Sequence, residues 1–262
     1  MMNKTNPNYG IDAPIIRLSM IVISIMGFLI SVGSYFYYLQ ENLSYSNTAV
    51  ALILIGVFIF SYGFFMSSYM TISSRYRKIK VREKLLDRVE NFLNFDDVEL
   101  GIDVGCGRGL MLIGAAKRMN RGKVIGFDLW NNKDQFNNNP EETQRNVNLE
   151  KVADLVEIKT ADARNLPLGN NTVDLVMSHW VVHNIEPFDE QIIAINEQWR
   201  VLRKGGILVL ADIANVEKYS KHLAKLGAEN IEFDDGGLEA KVMGFLSGGT
   251  FVPQTLICQR LT

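Results

Sequence analysis

Cysteine is nearly absent from this chain, with Cys106 and Cys258 the two examples in 262 residues. Two thiols that far apart give neither a disulfide framework nor a thiolate metal cage. Histidine is almost as rare, three residues without ligand spacing, and no metal is expected. Basic charge is thin from residue 91 onward, where eighteen Lys/Arg face twenty-four Asp/Glu, a balance of −6. That deficit argues against a nucleic-acid partner, because phosphate binding relies on Lys and Arg. Charge of either sign is missing altogether from residues 18–40 and 42–74. No internal repeat is present, and the length suits one domain of ordinary size with an appendage.

The uncharged stretches define the appendage. At about 1.5 Å rise per residue, a helix over 18–40 crosses a hydrocarbon core of roughly 30 Å. A second apolar run at 49–72 follows a linker, 40–48, too short to be a domain. The two runs therefore read as a transmembrane helical hairpin within residues 1–74. A cleaved signal peptide is the competing reading of the first run. That run is too long for it, and another span follows directly. The linker holds no Lys or Arg, whereas Arg75, Arg77, Lys78, Lys80, Arg82 and Lys84 crowd the exit of the second run. Both ends of the hairpin are expected on the cytoplasmic side, which makes this a two-pass integral membrane protein. Residues 75–94 form a basic amphipathic connector, with Val81, Leu85, Val89 and Phe92 at near-helical spacing. It fits two descriptions equally, a helix lying on anionic headgroups or a stop-transfer flank that continues the second span.

Residues 95–262 read as one domain, and from residue 98 onward strands and helices alternate, which predicts a parallel sheet covered on both faces. Strands are expected at 123–128, 155–159, 173–178, 207–213, 230–234 and 250–260. Helices are expected at 110–119, 140–153, after Pro187 and at 216–226, with a glycine-rich loop before the last strand. The Asn-rich stretch 131–139 reads as compositional bias.

The richest stretch is Glu99-Leu-Gly-Ile-Asp-Val-Gly-Cys-Gly-Arg-Gly109. Leu100, Ile102 and Val104 make a short buried strand, and Gly105, Gly107 and Gly109 force a sharp exit into a helix. Glycines there let the backbone turn and approach a ligand where a Cβ would clash. The helix start offers N–H groups and a positive dipole end to polar cofactor atoms. The third glycine comes one residue early for a dinucleotide fingerprint, with Leu110 in its place, and Asp103 sets a carboxylate beside the loop. Asp128 closes the second strand about twenty residues on, where an acid can hold both ribose hydroxyls of a nucleoside. Trp130 either covers a bound base or is ordinary packing. Asp162 is a further acid at a strand end, and His179 and His183 follow the fourth strand.

With the Leu202-Arg-Lys-Gly-Gly-Ile-Leu-Val turn, these acids and glycines resemble, in order and separation, the class I S-adenosylmethionine-dependent methyltransferases of small molecules. That group includes quinone and sterol methylases. The resemblance covers residues 95–213 and, more loosely, the chain to 262. It implies a Rossmann-like α/β fold with a seven-stranded sheet of order 3-2-1-4-5-7-6, its seventh strand antiparallel. It also implies that S-adenosyl-L-methionine is the cofactor. Asp103 would face the methionine ammonium and Asp128 the ribose hydroxyls, Leu129 would cover the adenine ring, and Asp162 and Ala163 would meet the adenine. Gly105, Cys106, Gly107 and Gly109 would supply the loop, while Ser178 and His179 would close the cofactor site. The hairpin lies outside the family's core.

A sulfonium methyl is already electrophilic, so such an enzyme mainly aligns donor and acceptor and excludes water. A base is required only where the acceptor must lose a proton. His183 is the candidate base, since imidazole titrates near neutral pH, with a purely structural role as the alternative. The expected function is methyl transfer to a small lipophilic acceptor that partitions into membrane lipids. A non-catalytic anchored cofactor-binding protein and an NAD-type oxidoreductase are the other readings. Leu110 counts against the last.

Overall fold

The computed structural model describes residues 6–10, 14–40, 47–131 and 137–261. These fall into two compact units, one of residues 10, 14–40 and 47–78, the other of residues 6–9, 79–131 and 137–261.

The smaller unit holds α1 (Pro14–Gln40) and α2 (Asn47–Ile72), each long and apolar enough to cross a membrane. Both begin slightly earlier than the apolar runs, α1 at a proline whose fixed φ suits a first helical turn. Most of the linker, residues 41–46, lies outside the described residues. Large side chains such as Leu29, Phe58 and Phe64 point outward, while the two helices meet through small ones. A Cβ on Gly27 would stand 2.4 Å from the Phe60 nitrogen, and one on Gly56 would stand 2.7 Å from the Gly27 oxygen. The Ser24 and Ser31 hydroxyls donate across to the carbonyls of Phe60 and Ile53, at 3.1 and 3.2 Å. Close approach through glycine and serine is how apolar helices associate where surrounding lipid removes the hydrophobic drive. Gly27→Leu should therefore part the helices and abolish chemical crosslinking between cysteines placed at positions 31 and 53 in membranes. Retained crosslinking would show that the contact tolerates a side chain.

The chain continues through a π-helical turn, Ser73–Arg77, and α3 (Lys78–Val89). Leu85, Leu86 and Val89 of α3 are buried in the core of the larger unit. Leu85 and Val89 of the apolar stripe are thus used inside the protein, with Phe92 packed against the same core, while Val81 is exposed.

The larger unit is a seven-stranded sheet. Its strands are β1 (Leu100–Val104), β2 (Lys123–Asp128), β3 (Val156–Thr160), β4 (Val173–His179), β5 (Leu202–Asp212), β6 (Ala228–Asp234) and β7 (Gln254–Arg260). The order is β3-β2-β1-β4-β5-β7-β6, and β7 runs antiparallel to both neighbours, as the resemblance implied. The helices are α4 (Leu110–Ala116), α5 (Pro140–Leu149), α6 (Phe188–Val201), α7 (Val216–Lys225) and α8 (Gly237–Leu246). Two apolar cores flank the sheet. Leu86, Leu112 and Ile113 are in one, and Ile102, Val176, Ile195 and Leu208 in the other.

Two expectations need correction. The segment read as a glycine-rich loop contains α8, because its glycines gather at the helix ends. Gly236 and Gly237 precede it with φ of 74° and 60°, and Gly248 and Gly249 follow with φ of 63° and 85°. Left-handed glycines commonly delimit helices, and Leu238–Leu246 between them favour one. The Leu202–Gly206 part of the run read as a turn before the fifth strand belongs to β5 itself, where a register shift between Val173 and Leu175 accommodates it.

Candidate active site

All the singled-out acids stand at the C-terminal edge of the parallel strands, where open α/β sheets bind ligands. Gly105, Gly107 and Gly109 take φ of 73°, 48° and 83°, a region that admits glycine freely. A Cβ at Gly105 would lie 2.1 Å from Val181 Cγ2, so a side chain cannot be added without moving the neighbouring loop.

Asp103 is only 2 % exposed and lies beneath the loop, where Oδ2 accepts a hydrogen bond from the Leu112 amide at 2.8 Å. One N–H of the helix start is therefore satisfied from within. Cys106 turns its thiol toward Gly126, into the core, and its amide donates to Phe127 O at 3.0 Å. Burial pushes the Cys106 thiol well up, so it is inert as a nucleophile.

Burial also pushes the Asp103 carboxyl up to about 7, against the Leu112 hydrogen bond and with some repulsion from Asp128. A raised carboxyl favours folding below its unfolded value and loses that contribution as pH rises through about 7. A cationic ligand facing it has the opposite dependence, since it favours the ionised form. The thermal midpoint of the ligand-free protein should thus fall between pH 6 and 8, while affinity for S-adenosylhomocysteine rises. Asp103→Asn should flatten both curves. Wild-type curves already flat across that range would remove this role.

Asp128 is the hub of the loop. Its Oδ2 accepts from the Gly107 amide at 2.7 Å, and its Oδ1 from the Trp130 amide at 2.6 Å and the Asn138 amide group at 3.1 Å. Asn138 is one of the asparagines read as compositional bias, and Asn139 caps α5 by accepting from the Glu142 amide at 2.9 Å. Residues 132–136 of that stretch lie outside the described residues. Leu129 is exposed, and Trp130 donates from its ring to Thr160 Oγ1 at 2.8 Å. Asp162 is paired with Arg164, Nη2 to Oδ2 2.6 Å, and Arg164 reaches on to Glu190 at 2.8 Å. The Arg164 hydrogen bond holds the Asp162 carboxyl below its usual range, and Ala163 beside it is buried.

The end of β4 carries the rest. Ser178 is buried beside Val104, and its hydroxyl has no hydrogen-bond partner among the described residues. A buried polar atom left unpaired at the mouth of the glycine loop fits a polar ligand there. His179 stacks on Trp180, with centroids 5.1 Å apart, and Trp180 meets the edge of Phe251 at 5.5 Å. Trp180 holds a left-handed φ of 57°, strained for a bulky residue and typical of functional loops.

His183 sits in the short helical turn Val182–Asn184 and is tied to Asp212 at the end of β5. Asp212 Oδ1 lies 2.5 Å from His183 Nδ1, and Oδ2 accepts from the His183 amide at 3.1 Å. The ionised carboxylate only accepts, so Nδ1 carries the proton and Nε2 is left as the basic nitrogen. Asp212 was not foreseen. It ends an apolar strand, a signal like that of Asp128, but its pairing depends on β4 and β5 lying side by side.

A doubly wound sheet of this order, with acids at the ends of β1 and β2, a third just past β3 and a glycine loop leaving β1, is the Rossmann-like fold of the class I S-adenosylmethionine-dependent methyltransferases. The comparisons agree. Residues 102–210 match the family model described as a methyltransferase domain. A demethylmenaquinone methyltransferase of Symbiobacterium thermophilum is 33 % identical over 106 residues, 40 % of this chain and 39 % of that one. A ubiquinone/menaquinone biosynthesis C-methyltransferase of Campylobacter jejuni is 30 % identical over 142 residues, 52 % and 54 % of the two chains. The chain thus spans about half or less of the length of these curated relatives. Among solved structures, a geranyl diphosphate C-methyltransferase from Streptomyces coelicolor superposes with a TM-score of 0.55 at 15 % identity, covering 74 % of this chain and 84 % of that one. A putative S-adenosylmethionine-dependent methyltransferase from Methanococcus maripaludis gives 0.51 at 18 %, covering 73 % and 90 %. At such identities these two speak for the fold alone.

Proposed function

We propose that this protein is a membrane-tethered methyltransferase that methylates a small lipophilic acceptor of the hydroquinone or phenol type. The observation that carries the reading is the His183–Asp212 pair, which supplies a base beside the cofactor edge. When bound, S-adenosylmethionine supplies an electrophilic methyl group. Asp128 would hold the ribose hydroxyls, Asp162 and Ala163 the adenine, Asp103 the ammonium, and Ser178 a polar atom near the loop. His183 Nε2 takes the proton of an acceptor hydroxyl, which raises electron density on that oxygen and the adjacent ring carbon. Asp212 keeps the imidazole in the required tautomer and stabilises the imidazolium that forms. Trp180, His179 and Phe251 offer an aromatic wall to a flat acceptor.

Tethering has two supports. α1 and α2 have the length and composition of spans. Residues 6–9 and 79 onward belong to one unit, which agrees with an even number of crossings between them. The basic cluster from Arg75 to Lys84 favours the cytoplasmic side for that unit. The test is direct. Membranes containing the protein are incubated with methyl-labelled S-adenosylmethionine and a lipid extract, and label is expected in a quinone-type lipid. Label confined to water-soluble products or protein would overturn the proposal.

A further inference from the structure

The segment that leads into α1 is docked on the cofactor loop from behind. Asn146 of α5 is fully buried, and its amide makes a reciprocal pair with the backbone of Asn8. Oδ1 accepts from the Asn8 amide at 2.9 Å, and Nδ2 donates to Asn8 O at 3.0 Å. The same Nδ2 donates to Arg108 O at 2.9 Å, inside the glycine loop. Arg108, itself 6 % exposed, returns to Asn8 O through Nη1 at 3.3 Å.

A second route starts at Tyr9. Its ring lies under the Arg82 guanidinium at 5.7 Å, and its hydroxyl donates to Glu150 at 2.9 Å. Arg82 Nη1 reaches both the Tyr9 hydroxyl and Leu110 O, each at 3.5 Å. The two routes therefore end on the carbonyls either side of Gly109, the residue whose left-handed φ turns the loop into α4.

We infer that Asn8 and Tyr9, acting through the positioning residues Asn146 and Arg82, clamp the glycine loop in its cofactor-binding shape. This rests on the proposed cofactor occupying that loop. The clamp works through the backbone of Asn8 and therefore places a specific demand on position 8. By linkage, whatever the clamp adds to cofactor affinity the cofactor returns to the clamp. α1 begins five residues past Tyr9, so a chain anchored there keeps the clamp at high effective concentration.

The test uses the full chain in detergent, with S-adenosylhomocysteine as the probe. Asn8→Pro removes the N–H that Asn146 accepts, whereas Asn8→Ala keeps both backbone groups and is the matched control. Calorimetric titration should show Asn8→Pro binding roughly 5- to 50-fold more weakly than Asn8→Ala, the usual size of such couplings. Asn146→Asp, which sets a carboxylate oxygen against the Asn8 and Arg108 carbonyls, should weaken binding by at least as much. In the unmodified protein the ligand should slow hydrogen exchange at Asn8 and Tyr9, a readout that needs no variant. Equal affinities for the two position-8 variants, together with unchanged exchange, would overturn the clamp. Failure of the unmodified protein to bind the probe would instead remove the cofactor reading and the clamp with it.

Discussion

Asp212→Asn should lower turnover roughly 10²–10⁴-fold, as severely as His183→Ala, the range general-base catalysis commonly supplies. The carboxylate can only accept, which obliges His183 to carry its proton on Nδ1 and leaves Nε2 basic. A carboxamide at 212 can turn its NH₂ toward Nδ1, and the imidazole then exposes Nε2–H and cannot take a proton. Shape is nearly preserved, and the amide oxygen, then at the Oδ2 position, remains to accept from the His183 amide. The loss should therefore fall on kcat, with cofactor affinity near that of the unmodified protein. Transfer of labelled methyl, calorimetric affinity and thermal midpoint measured on one sample decide the matter. Turnover within a few-fold of the original would end the base assignment. A fall in stability and affinity together would make the pair structural.

Asp128→Ala should weaken cofactor binding by roughly 2–4 kcal/mol, the loss of charged hydrogen bonds in a half-buried setting. The geometry adds a reason that the sequence lacked. Asp128 gathers the Gly107 and Trp130 amides and the Asn138 side chain, so its removal frees the loop as well as the ribose contact. Asp128→Asn should lose less, because it keeps oxygen acceptance on one side. Titration with S-adenosylhomocysteine checks both, and an unchanged affinity for Asp128→Ala would remove the ribose role.

The loop and the sheet were legible because their signals are local. A strand that breaks into three glycines, and acids that close apolar runs, can be read from neighbours in the chain. Asp212 was not legible, since its partner lies 29 residues away and meets it only when β4 and β5 pair. Asn146 was hidden for the same reason, being a polar residue within an ordinary amphipathic helix. α8 was missed because glycine marks both loops and helix ends, and composition does not separate the two. The pairing of Asp162 with Arg164, two residues on, was not read either, since the spacing alone does not say that the two side chains meet.

The placing of β7 between β5 and β6 sets a timetable for synthesis. β5 ends at Asp212, yet one of its edges is paired only when residues 254–260 arrive. At ribosomal speed that interval is on the order of 2–8 s. Throughout it a strand as apolar as Ile207–Ala211 keeps a row of unpaired backbone groups, a template for the wrong partner. Nascent chains stalled short of residue 254 should therefore be the aggregation-prone species, and fusions that delay release of that segment would lengthen the hazard.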